Sequence, residues 1–296
     1  MTEFPKDSLT RYYHLVKLCE GIIQEIDNEF KNDKRWFIFS LKVALKLTTH
    51  CKSLCLLGAD TYFEEWNNKN FEKNIFLDVP GIFANVRVLI DTYSTLHHIF
   101  FDDVDWELKR LRFDLWRYDS HTNRIQLNVD HPTDFEQIEN LKLSIEENSE
   151  FKKLDLNKQK LVFNHSKQSA NWKFNPEKLE KKNYRVKWND LFGKTGIKID
   201  VMNKAYGFFS MYVHSNFFSV AHLSELNRKE SYKDKDFAIL LSSFIICFTI
   251  DDLASKFKSG KEYIDKLDNK DYEIIRSFII SGRKSERNKN FAQYRV

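Results

Sequence analysis

The sequence predicts an all-α protein, an irregular multi-helix bundle of about eight to ten helices, and three observations carry that expectation. Gly and Pro are scarce, at 8 and 4 in 296 residues, which removes the punctuation of β-sandwiches, barrels and Gly-rich nucleotide loops. Apolar residues recur at three- and four-residue spacings in segment after segment, as in helices with one buried face. The chain is 42% hydrophobic, with 26 Phe, enough to build a large aromatic core.

Taken in order, Ser8 is placed to cap a first helix running to about Phe30, whose apolar face is Leu9, Tyr12, Tyr13, Val16, Ile22, Ile23 and Ile26. A second helix runs from about Asp33 to Leu57, and the Asn- and acid-rich stretch from Gly58 to Lys73 reads as a surface loop. Pro is tolerated in a first helical turn, so Asp78, Val79, Pro80 and Gly81 start a third helix that reaches about Phe101. Trp106 to Tyr118 forms a fourth. From about 119 to 187 the composition turns to Asn, Lys, Glu and Asp, although Phe135 to Phe151 keeps helical periodicity, so this is a polar, partly helical insertion in one domain spanning 1–296. Gly193 and Gly196 turn the chain into a long helix from about Asp200 to Asn227. Helices from about Asp234 to Phe257 and from about Lys270 to Ser281 complete the bundle, and the basic end from Arg283 to Val296 reads as frayed.

Charge narrows little. The 47 basic and 43 acidic residues are dispersed, so a net +4 permits RNA or DNA binding without arguing for it. Cys19, Cys51, Cys55 and Cys247 lie in apolar, helix-like segments, and the start shows no basic stretch followed by an apolar signal run, so a reduced, cytoplasmic protein is expected. The apolar run Phe237 to Ile250 falls short of the roughly 20 residues that span a bilayer, and is read as a buried helix with no membrane partner. No P-loop, GxGxxG, GxSxG or kinase motif occurs, and no cofactor is expected. His50 with Cys51 and Cys55, or His98 with Asp102 and Asp103, have helical spacing for metal ligation, but no second cluster completes a set, so no metal is expected. His165 and Trp172 lie in what reads as a solvated loop.

Two helices carry polar ladders on otherwise apolar surfaces. At about 100° per residue, Arg87, Asp91, Ser94, His98 and Asp102 fall within a stripe of roughly 80°. On the later helix Tyr206, Ser210 and His214 form a ridge beside the apolar face of Phe208, Phe209, Tyr212 and Val213. If the helices pack side by side, Arg87 or Asp91 can meet His214. A carboxylate would orient the imidazole, and an Arg would stabilise an anion.

The segment Arg87 to Tyr93 resembles the R-x-L-x-[ED] helix of an uncharacterised family of bacterial all-helical proteins. Trp188 to Ile197, followed by Tyr206, Ser210 and His214, resembles that family's W-x-x-L turn and its Y-x-x-x-S-x-x-x-H helix. The family's layout is similar to the HEPN superfamily of helical ribonucleases and related non-catalytic modules, many used in toxin and antiviral systems. The resemblance implies metal-independent cleavage of RNA, with His214 as general base or acid, Arg87 as phosphate clamp, and Asp91, Tyr206 and Ser210 as positioning groups. This chain departs from the superfamily's R-x(4 to 6)-H motif on one helix, because neither Arg87 nor His214 has its partner at that spacing on its own helix. The alternative is a non-catalytic binding or interaction module in which the same ladder holds helices in register or receives a small ligand. RNA, a second copy of the chain or a partner protein are the partners these readings imply.

Overall fold

The computed structural model describes residues 7–30, 36–59, 61–63, 74–129, 131–163, 171–173, 186–198, 200–214, 217–225 and 228–284. It is all-α, with 13 α-helices among the described residues, more than expected because short helices join the long ones. The chain divides into two compact units, one of residues 1–96 and 192–296, the other of 97–191. The span 119–187 lies within the second.

In the first unit, α1 (Ser8–Glu29) is capped by Asp7 rather than Ser8: the Asp7 carboxylate accepts from Thr10 N at 2.9 Å. Its buried stripe of Tyr12, Leu15, Val16, Cys19, Ile22, Ile23 and Ile26 packs on α2 (Ile38–Gly58), α11 (Arg228–Lys256) and α12 (Lys258–Lys266). The second helix therefore starts at Ile38, later than expected. Thr61–Phe63, within the stretch read as a loop, pairs antiparallel with Asn74–Phe76 just beyond it, a two-stranded element too short to show in the hydrophobic pattern.

The central helix α11 starts at Arg228, six residues before the expected Asp234. Its middle is apolar on all sides, with Ile245, Ile246, Cys247, Phe248 and Ile250 each 0% exposed. It is long and apolar enough to cross a membrane by composition, but 83% of that window is buried inside the protein. The buried hydroxyls of Ser243 and Thr249 donate back to Ile239 O and Ile245 O at 2.8 and 2.9 Å, so they enter the core already satisfied. On α11 also pack α3 (Val79–Leu96) and α13 (Asn269–Gly282). Asp78 caps α3 by accepting from Gly81 N at 2.9 Å, with Pro80 in the first turn as expected.

The long helix expected from Asp200 to Asn227 is two: α9 (Asp200–Val213) and α10 (Phe217–Glu225). Phe83 on α3 seats α9, its ring centre lying 5.2, 5.1 and 4.8 Å from those of Phe208, Phe209 and Tyr212. Of the end read as frayed, Arg283 and Lys284 are tied down: Ile197 and Arg283 form an antiparallel bridge, Lys198 N donates to Gly282 O at 2.7 Å, and Lys284 N donates to Gly196 O at 2.8 Å, while 285–296 lie outside the described residues. Gly196 sits at φ 80°, a conformation that favours glycine at this close approach.

The second unit opens on a π-helical turn, His97–Phe101, followed by α4 (Trp106–Gln126), which extends two turns beyond the expected Tyr118. Buried Arg112 donates to His98 O at 3.0 Å and to Asp102 at 2.8 Å. Burial would raise the Asp102 carboxyl, but Arg112 holds it below its ordinary value. Helix α5 (Asp134–Glu147) meets α4 along a polar line in which Arg110 donates to Ser144 at 3.2 Å, Ser144 to Asp114 at 2.8 Å, and Arg117 to Gln137 at 3.2 Å. At its end the His121 ring pairs with buried Asp134 at 2.7 Å. Two short helices, α6 (Ser149–Lys152) and α7 (Leu156–Phe163), follow. Trp172, expected in a solvated loop, is buried with its ring 5.7 Å from that of Trp188, at the start of α8 (Trp188–Lys194). His165 lies outside the described residues.

Candidate functional site

The Phe83 contacts fix how α9 lies on α3, and the next turn of each helix then meets the other. Arg87 is four residues beyond Phe83, and Tyr206 and Ser210 bracket Phe208 and Phe209, so i, i+4 spacing carries the aromatic contact over into a polar one. Arg87 Nε donates to Ser210 Oγ at 3.0 Å, and Nη2 donates to the Tyr206 hydroxyl. Its Nη1 pairs with Asp91 on its own helix. The guanidinium carbon lies 3.8 Å from the Tyr206 ring centre. Ser210 Oγ in turn donates to Tyr206 O at 2.9 Å. The side chains of Arg87 and Asp91 are 14% and 28% exposed, so this seam borders solvent without opening to it.

The structure thus gathers Arg87, Asp91, Tyr206 and Ser210. His214 stands apart from them. It is exposed just past the end of α9, its backbone N donates to Ser210 O at 3.2 Å, and among the described residues its ring makes no hydrogen bond to Arg87 or Asp91. Ser94 and His98, expected on the same stripe, are buried, and Ser94 donates to Ile90 O at 2.7 Å. Burial pushes the Tyr206 hydroxyl well above its ordinary value, Asp91 adding and Arg87 opposing, so Tyr206 remains a neutral phenol. Nε and Nη2 of Arg87 hydrogen-bond to α9, and Nη1 forms an ion pair with Asp91 without a hydrogen bond. As it stands the seam ties two helices, and a bound phosphate would have to displace part of it.

A second arginine centre was not anticipated from the sequence. Arg283, fully buried, donates through Nη1 to Asp251 at 2.5 Å. Its Nη2 reaches Asp252 at 2.7 Å, the Tyr93 hydroxyl at 2.9 Å and Phe248 O at 3.1 Å. Tyr93 also donates to Asp252 at 2.8 Å. Burial disfavours the guanidinium charge, but Asp252, Tyr93 and Asp251 together hold it firmly protonated. Burial raises the Asp251 carboxyl to about 6, with Arg283 opposing and Asp252 adding. The only local signal in the sequence was a pair of adjacent acids ending an apolar run; the partner lies 31 residues away.

Burial lifts the thiols of Cys51 to about 12 and Cys55 to about 11, so neither offers a thiolate at neutral pH. Among the described residues no group of three His, Cys, Asp or Glu converges as metal ligands would. Comparisons with protein-family models, with curated proteins and with solved structures give no match to this chain.

Proposed function

We propose that this chain is a non-catalytic helical binding or interaction module in which the Arg87 seam fastens α9 to α3. One observation carries the reading: the guanidinium that a nuclease would turn toward phosphate donates to Ser210 and Tyr206 and ion-pairs with Asp91. A clamp for a transition-state charge works through donors aimed at the place where that charge develops, and these are aimed at neighbouring side chains. The expected result is that purified protein leaves single-stranded RNA intact in the presence of a chelator, while Arg87→Ala lowers thermal stability. RNA degradation in chelator that His214→Ala abolishes, with the melting temperature unchanged, overturns this reading.

A second reading rests on the exposure of His214 at the end of the seam. In it the chain is a HEPN-like, metal-independent endoribonuclease or nucleic-acid-directed toxin or antiviral defence effector. His214 removes the ribose 2′-OH proton, Arg87 swings out to the phosphate, and Asp91, Tyr206 and Ser210 position both. The cleavage experiment separates the two, and a cyclic 2′,3′-phosphate on the product would identify the chemistry.

A further inference from the structure

A groove of about 440 Å³ runs between α1, α11 and α13, within the first unit and away from the Arg87 seam. Its floor is apolar, formed by Leu15, Ile239, Ile274 and Phe278. Two charges of opposite sign stand at its edge. Arg11 is exposed and its side chain has no ion pair or hydrogen bond among the described residues. Asp236 accepts one hydrogen bond, from Ser8 Oγ to Oδ1 at 2.7 Å, and among the described residues Oδ2 takes none.

Ser8, which holds the Asp236 carboxylate, lies about one helical turn before Arg11 on α1, and both charged residues line the same groove. They are nonetheless not paired with each other. Small-ligand sites have this composition: an apolar body of a few hundred Å³ with a small number of placed polar groups. We propose that the groove binds a zwitterion with an apolar side chain, of the class of the larger aliphatic and aromatic amino acids. Arg11 takes the carboxylate in a bidentate contact, Asp236 Oδ2 accepts from the ammonium, and the side chain lies on Ile239, Ile274 and Phe278. A purely anionic amphiphile would face Asp236 and a purely cationic one Arg11, so matched opposite charges are what select the ligand class. This proposal does not depend on the function of the Arg87 seam.

Titration calorimetry on the full chain with L-leucine and L-phenylalanine tests it. Leucine amide, which lacks the carboxylate, and N-acetyl-leucine, which lacks the ammonium, should each bind roughly tenfold or more weakly than leucine. Because Arg11 is exposed and Asn keeps the acceptor for Ser8, Arg11→Ala and Asp236→Asn should fold normally, as circular dichroism will check. Arg11→Ala should abolish the preference for leucine over its amide, and Asp236→Asn the preference over the acetylated form. No heat with either amino acid, or selectivity that both variants leave unchanged, overturns the proposal. Equal binding of decanoate or decylamine overturns it as well, since either would mean that only the apolar floor matters.

Discussion

Arg87 and Arg283 solve the same problem in different surroundings. Each joins helices distant in sequence, each donates to a tyrosine hydroxyl, and each meets carboxylate. Arg87 has one acid, on its own helix, and its side chain keeps 14% of its exposure. Arg283 has two acids and a carbonyl, and keeps 4%. The electrostatic consequence follows from solvent. A pair that borders water can exchange partners at modest cost, whereas a buried centre loses far more when one member goes, because the remaining charges have no water to turn to. The first arrangement can loosen without leaving a bare buried charge. The second fixes the fold.

Removing the buried cation should therefore be the most damaging single change. Arg283→Ala strands Asp251 and Asp252 and should cost about 3–5 kcal/mol, read as a lower urea midpoint with the slope unchanged. The same centre has a pH signature. The folded carboxyl of Asp251, at about 6, lies above its ordinary value, so the folded chain holds an extra proton between the two. This group's contribution makes stability fall as pH rises from about 4 to about 6. Asp251→Asn removes that contribution, so the difference in unfolding free energy between variant and parent should change across this window and level off above it.

Next in size is Gly282→Ala. A Cβ there would stand 2.6 Å from both Phe244 Cδ1 and Phe248 Cζ, and overpacking of this kind costs about 1–3 kcal/mol, measurable as a lower melting temperature. Arg87→Ala should cost less than Arg283→Ala, about 1–2 kcal/mol, because Tyr206, Ser210 and Asp91 regain water as the arginine leaves. A loss equal to that of Arg283→Ala would erase the distinction drawn between the two centres. His214→Ala, at an exposed position, should move stability by no more than about 0.5 kcal/mol, which makes it a clean reporter for RNA cleavage.

What could be read from the sequence was whatever depends on neighbours in the chain. Pro80 in a first turn, the stripe of Ile82, Val86, Leu89 and Tyr93, and the i, i+4 ladders Arg87 with Asp91 and Tyr206 with Ser210 are local patterns, and they fold as expected. Their meeting across α3 and α9 was an inference from two apolar faces, and Phe83 supplies its physical cause. The misreadings are of another kind. Arg283 follows a helix in a basic stretch and looks like a tail residue until the acids 31 and 32 positions earlier fold against it. Helix α12 is short and highly charged, with Gly260 in its middle lying against the α11 backbone: a Cβ there would stand 2.9 Å from Leu253 O, a contact no sequence pattern announces. The division of the expected long helix at Val213 falls in a stretch free of Pro and Gly, so no breaker marked it.

Arg283 also sets an order of events. A ribosome delivers this polypeptide from its amino end, so α11 emerges with two acids at the end of its apolar run before their cation exists. Until position 283 has left the exit tunnel, closing the helices around Asp251 and Asp252 would bury two unpaired carboxyls, at a cost in desolvation or in proton uptake that favours keeping this end of the bundle open. One residue, arriving late, latches a core that nearly all the preceding chain has already prepared.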